Sequence, residues 1–159
     1  MTEAPRPASA NAVRVERLLP APIDEVYAAW TDPEQMAPWL APTGHAEVEV
    51  DVRVGGQFRV TMIDGDFRLL HTGEYLVVEP PRRLSFTWRS PYTGPDASQV
   101  DVILTARGSA TLLVLLHDRL PNETRSSHEG GWATILDRLT SSLERRITAT
   151  PERTEGVTQ

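Results

Sequence analysis

Four histidines, at positions 45, 71, 117 and 128, and one glutamate set among aliphatic residues, Glu74, are the side chains best suited to moving a proton in this sequence. Imidazole titrates near neutral pH and can both donate and accept hydrogen bonds, so it serves proton transfer or polar recognition. No two of the four histidines are four residues apart, the spacing that sets two imidazoles on one helix face for zinc, and no metal site is expected. Cysteine is absent and all 16 basic residues are arginine. That removes disulfides, thiolate ligands, cysteine nucleophiles and lysine Schiff bases, and no cofactor is expected.

The patterns around these residues say which way they point. His117 shares strand parity with Leu113 and Leu115 and should face inward with them. His128 lies on the apolar stripe of a helix, one turn before Trp132. The two imidazoles could then meet at one end of a pocket and donate a hydrogen bond or pass a proton. The blander reading, which takes precedence, has both half-buried and satisfied by backbone or water. Glu74 shares parity with Leu76 and Val78, so an inward-facing carboxylate would need a partner such as Arg59 or Arg68, or would act as a base. The ion-pair reading leads there. Tyr27, Trp30, Trp39, Met62, Phe86, Trp88, Trp132 and Leu136 are the candidates for an apolar lining around a hydrophobic or aromatic ligand. About half of this set should touch the ligand space and the rest should be core.

Positioning these groups falls to a recognisable series of elements. Val13 to Leu19 alternates as a strand does and is stopped by Pro20. Pro22, and then Asp32-Pro33, open two short helices, with Val26, Tyr27 and Trp30 on one face of the first. Ala46, Val48, Val50, Val52 and Val54 alternate with charged residues up to Gly55-Gly56, and Asp64-Gly65-Asp66 and Pro80-Pro81-Arg82 close the next hairpins. Leu84, Phe86 and Trp88 alternate with polar neighbours, and two further strands cover Gln99 to Ala106 and Ala110 to His117. A helix from about Ser127 to Thr148, roughly 30 Å long, closes the chain with His128, Trp132, Ile135, Leu136, Leu139, Leu143 and Ile147 on its inner stripe. Ser126 and Glu129 have the spacing of a capping box at its start. Gly130 and Gly131 each weaken this helix by about 1 kcal/mol relative to Ala, which implies close backbone approach or room for a ligand beside it.

At 159 residues with a net charge of −6, the chain reads as one domain over 11–149 between disordered tails at 1–10 and 150–159. Nucleic acid and anionic membranes are not expected as partners, because phosphate binding needs a basic face. With no apolar stretch of signal-peptide or membrane-spanning type, a cytoplasmic protein is expected. Leu112-Leu113-Val114-Leu115-Leu116 is apolar on both strand faces. Its outer residues Leu112, Val114 and Leu116 should therefore be covered by another segment or meet a second copy in a homodimer.

Certain motifs carry a family likeness: Ala21-Pro22 with Val26, Trp30-Thr31-Asp32-Pro33 with Trp39, and Val54-Gly55-Gly56 with Phe58. They continue in Gly73-Glu74-Tyr75, Pro80-Pro81-Arg82-Arg83-Leu84 with Phe86-Thr87-Trp88, and Gly131-Trp132 with Leu136-Asp137-Arg138-Leu139. With these residues the chain resembles the helix-grip superfamily of the birch-pollen allergen, START lipid-transfer domains and polyketide cyclases. Within it the likeness is to the domain shared by bacterial proteins named for the activator of the heat-shock-protein-90 ATPase. The resemblance implies an α+β fold, an antiparallel sheet of about seven strands wrapped around a long C-terminal helix, with a pocket between them. The eukaryotic activator is built from two domains and this chain has room for one, so chaperone stimulation is not carried over. The resulting expectation is a small-molecule-binding module. A cyclase- or hydratase-like enzyme using His117, His128 or Glu74 is the alternative, and a stress-related interaction module the third reading.

Overall fold

The computed structural model describes the backbone of residues 12–158 and the side chains of residues 12–146. The expected tail at 1–10 lies outside the described residues. Along the chain run β1 (Val13–Leu19), α1 (Ile23–Ala29), α2 (Pro33–Met36), β2 (His45–Val50), β3 (Gln57–Asp64), β4 (Phe67–Glu79), β5 (Arg83–Trp88), β6 (Ser98–Arg107), β7 (Ala110–Asp118) and α3 (Asn122–Thr158). The strands form one antiparallel sheet in the order β1-β7-β6-β5-β4-β3-β2. Only β1 is out of sequence order, because α1 and α2 carry the chain from one sheet edge to the other. Trp132, Ile135, Leu136, Leu139 and Leu143 of α3 are buried in one core with Val13, Leu84, Val102 and Leu115 of the sheet. This is the α+β helix-grip arrangement.

Local chemistry explains the short elements. Pro22 caps α1 in an extended conformation, and Asp24 and Glu25 in its first turn suit the positive end of the helix. The Asp32 carboxylate accepts from the Glu34 N–H at 3.0 Å, ahead of Pro33 in the first turn of α2. Val26 and Met36 from the two helices enter the core.

Several boundaries differ from those read in the sequence. β2 ends at Val50, and Val54 is 56% exposed beyond it, because a turn with Gly55 at φ +85° replaces the last strand residues. α3 starts at Asn122, directly after Pro121, with Glu123 in its first turn. Ser126 and Glu129 are therefore inside the helix and form no capping box. Glu129 instead lies 3.6 Å from Arg125, one turn back. The helix backbone also continues to Thr158, across most of the segment expected as a tail.

β4 holds the largest departure. Its register against β5 shifts between Tyr75 and Val77, a bulge that adds one residue and reverses the alternation of side chains across it. Val78, paired with Leu84, packs on the core, and so does Tyr75. Counting back from Val78 in strict alternation puts Glu74 inside. The bulge puts Tyr75 there and turns Glu74 to the outer face. Gly73, also inward, leaves space for its neighbours: a β-carbon would run into the Phe58 ring and the Thr87 carbonyl.

On the outer face of β7, Leu112, Val114 and Leu116 are half-buried. Leu116 and Val114 stand opposite Arg14 and Glu16 of β1 and opposite Asp101 and Ile103 of β6. Long side chains lying along such a strand shield apolar surface with their stems. That adds a third explanation to the covering segment and the subunit contact.

Candidate functional site

Among the described residues, two sizeable hollows open on the sheet. One is an open trough on the outer face, lined by charged residues of both signs, among them Glu49, Arg59, Glu74 and Arg89. The other is a cavity of about 270 Å³ between the sheet and the first turns of α3. Met62 of β3, Leu69 of β4, Trp88 of β5 and Trp132 and Ile135 of α3 form its apolar walls, and His71 and His128 are its imidazoles. Apolar walls with a few converging polar groups are what a small-molecule site requires. The cavity is the candidate site.

His128 is oriented by its own helix. Its Nδ1 lies 2.8 Å from the Thr124 carbonyl oxygen. A carbonyl can only accept, so Nδ1 carries the proton and Nε2 of the neutral ring is a bare acceptor.

His71 faces it from β4. The ring packs on Trp88, with centroids 4.5 Å apart and planes inclined at 33°. It is 4% exposed, and its Nδ1 is buried without a hydrogen-bond partner. Burial, then the neighbouring His128 charge, lower its pKa to about 4, against a weaker opposing pull from the Leu69 backbone. The imidazole is neutral at physiological pH.

His117 sits behind the cavity wall. The Trp132 indole N–H donates to its Nδ1 at 2.9 Å, and its Nε2 lies 2.7 Å from the Ser98 hydroxyl. Because an indole can only donate, Nδ1 must be bare and Nε2–H must donate to Ser98, whose hydroxyl donates to the Trp88 carbonyl at 2.5 Å. Burial, then the neighbouring His128 and His71 charges, hold the His117 pKa well below the usual imidazole value, with Asp118 opposing. Both nitrogens are occupied, and the ring of His128 stands edge-on to it at 5.1 Å. The inward direction read from the sequence holds for both histidines, but only His128 borders the cavity.

The remaining candidates divide between cavity, core and surface. Met62, Trp88 and Trp132 border the cavity with His128. Trp30 and Trp39 are core, in edge-to-face contact at 4.8 Å. Phe86 packs edge-on to Phe58 at 5.3 Å, and with Trp30 it borders a separate void of about 20 Å³, the size of one water. Leu136 is buried in the core, and Tyr27 is half-buried on α1 with its hydroxyl enclosed and unpartnered. Neither borders the cavity. Glu74 is on the outer face, where its backbone N–H is bonded by Thr87 Oγ1 at 2.9 Å.

His71, Leu69 and Ile135 border the cavity without having been singled out for it, as does Tyr92 at its rim, which is 50% exposed. A signal for His71 exists in the hairpin closed by Gly65: Asp64 pairs with Phe67, so Met62 pairs with Leu69 and Val60 with His71. Gly131 borders the cavity too, and nothing lies within 4 Å of where its β-carbon would be. Open space, rather than close backbone approach, surrounds this glycine. Among the described residues no group of three or more His, Cys, Asp or Glu is placed to hold a metal ion, and no helix is long and apolar enough to cross a membrane.

A family model described as Activator of Hsp90 ATPase homolog 1-like protein matches residues 20–144. Among solved structures, CalU16 from Micromonospora echinospora is 30% identical, with 91% of this chain and 84% of that chain covered and a TM-score of 0.67. DynU16, a protein in the dynemicin biosynthetic locus, is 32% identical over 86% of this chain and 48% of that chain, with a TM-score of 0.72. An AHSA1-like protein from Aeromonas hydrophila is 28% identical over 84% of this chain and 93% of that chain, with a TM-score of 0.71. A search of curated proteins finds no match.

Proposed function

The chain belongs to the Activator of Hsp90 ATPase homolog 1-like family, and from that premise we propose that it binds a hydrophobic or aromatic small molecule between the sheet and α3. The observation that carries this reading is the apolar cavity of about 270 Å³ beside His71, whose buried Nδ1 has no partner. An open apolar space and an unsatisfied imidazole both weaken a fold. A ligand that fills the space and engages the imidazoles removes both penalties. The place of DynU16 in a biosynthetic locus supports a small organic molecule as the partner.

A second reading, a cyclase- or hydratase-like enzyme, draws on His71 and His128 bordering one cavity. Against it, His71 is a weak base with a pKa of about 4, His117 has both nitrogens engaged, and Glu74 is on the other face of the sheet. Binding without turnover is the better fit. The family name alone does not bring chaperone stimulation to this chain.

Native mass spectrometry of the freshly purified protein tests the proposal. A small-molecule adduct is expected, and it should be lost in Met62→Trp, where the added ring fills the cavity. The same adduct on wild type and on a folded Met62→Trp protein would place the ligand elsewhere and end the reading.

A further inference from the structure

The chemistry of the cavity wall narrows the ligand further, given the binding reading above. Among the described residues that border the cavity there is no Arg, Asp or Glu. A charged ligand group would lose its water there without a counter-charge. The polar groups at the wall are the imidazoles of His71 and His128 and the hydroxyls of Tyr92, Thr124 and Ser127. Nδ1 of His128 is committed to the Thr124 carbonyl, and the Thr124 hydroxyl is committed to the carbonyl of Tyr92 at 2.9 Å. What His128 offers is an acceptor, its Nε2.

Size and shape come from the apolar walls. A cavity of about 270 Å³ is nearly twice the roughly 150 Å³ of an engineered apolar cavity that takes up benzene. The ring centroids of Trp88 and Trp132, which both border the cavity, lie 5.2 Å apart with their planes inclined at 49°, and Gly131 contributes open space beside them. Flat aromatic surfaces favour a flat ligand.

We infer that the ligand is uncharged and flat, about the size of two fused aromatic rings, and carries one hydroxyl or N–H that donates to Nε2 of His128, with its body beside Gly131. Carboxylates and other anions are excluded by the absence of a cation at the wall. The ring of His71, neutral at this pH, supplies no positive charge to change that.

Equilibrium dialysis at pH 7.5 with 2-naphthol, naphthalene and 2-naphthoate tests the inference. One net hydrogen bond corresponds to about tenfold in affinity. 2-Naphthol should therefore bind about tenfold tighter than naphthalene, and 2-naphthoate should bind more weakly than 2-naphthol by at least that factor. His128→Phe should erase the advantage of 2-naphthol over naphthalene. Gly131→Leu, which strengthens the helix while filling the space, should weaken all three and keeps the test decisive if His128→Phe does not fold.

Equal binding of 2-naphthol and naphthalene, or 2-naphthoate binding as tightly as 2-naphthol, overturns the donor inference and leaves the cavity reading standing. So does a 2-naphthol preference retained in His128→Phe. Absence of binding by all three probes overturns both. Binding of all three unchanged in Gly131→Leu does the same, since it removes the ligands from the cavity.

Discussion

The indole N–H of Trp132 donates to Nδ1 of His117 across 2.9 Å, tying the cavity-facing wall of α3 to β7, the strand next to the β1 edge of the sheet. From His117 the connection passes to Ser98 on β6 and on to the carbonyl of Trp88 on β5. Both tryptophans that face the candidate ligand space are held by one chain of hydrogen bonds. Its direction is fixed, because the indole at one end can only donate and the carbonyl at the other can only accept. A histidine locked in this way cannot take up a proton without giving up Trp132. His117 is therefore a positioning residue for the cavity wall.

Breaking that bond from either side should leave a buried polar group unsatisfied. Trp132→Phe is expected to cost about 3 kcal/mol, combining lost volume with the orphaned Nδ1. His117→Leu should also destabilise, by about 1 to 3 kcal/mol. In the double variant neither partner is stranded, so urea unfolding should give a coupling energy of at least about 1 kcal/mol. Strict additivity would show that the contact carries no energy.

Stability should also fall on mild acidification. The unfolded chain takes up protons at its histidines near pH 6.5, whereas folded His71 resists down to about 4 and folded His117 is likewise depressed. Between these values the unfolded state binds more protons, so acid favours unfolding. Stability is full above about pH 6.5 and declines toward pH 4, with His71 alone accounting for a loss on the order of 3 kcal/mol across that window. Unfolding free energies measured from pH 7.5 down to 5 should fall, and less steeply in His71→Phe. A flat profile would contradict the buried neutral imidazoles.

What the sequence disclosed, and what it hid, follows from how each signal is written. The stripe from Trp132 through Leu143 repeats at helical spacing, and Leu84, Phe86 and Trp88 alternate cleanly, so the helix and the inner face of β5 were readable. The β4 bulge leaves no mark in composition, because Tyr75, Leu76, Val77 and Val78 are all apolar and any of them suits an interior. It is set by pairing with β5, a tertiary fact, and it misdirected Glu74. Phe86 and Leu136 show a different limit. Alternation gives the inner face of the sheet, but it does not separate inner residues that border the open space from those that fill the core beside it.

Glu74 now serves as a control. On the outer face, its carboxylate is remote from the cavity, so Glu74→Gln should leave 2-naphthol affinity within about twofold and change stability by less than about 1 kcal/mol. A tenfold loss of affinity would mean that the outer trough, not the cavity, is the ligand site.

The two adjacent glycines of α3 separate stability from binding. Nothing lies within 4 Å of a β-carbon at Gly130 or at Gly131, yet only Gly131 borders the cavity. In a helix interior each Gly→Ala change gains about 1 kcal/mol from propensity, with no steric opposition here. Gly130→Ala and Gly131→Ala should each raise Tm by about 2 to 5 °C in a chain of this size. Ligand binding should divide them, because a methyl at 131 intrudes on the space beside Trp132 while one at 130 points to solvent. Gly130→Ala is expected to bind 2-naphthol as wild type does, and Gly131→Ala to bind it several-fold more weakly despite its greater stability. If both variants bind equally well, Gly131 is not part of the site. If both are destabilised instead, the glycines are answering a backbone constraint, and the idea that this helix gives up stability for open space beside it is wrong.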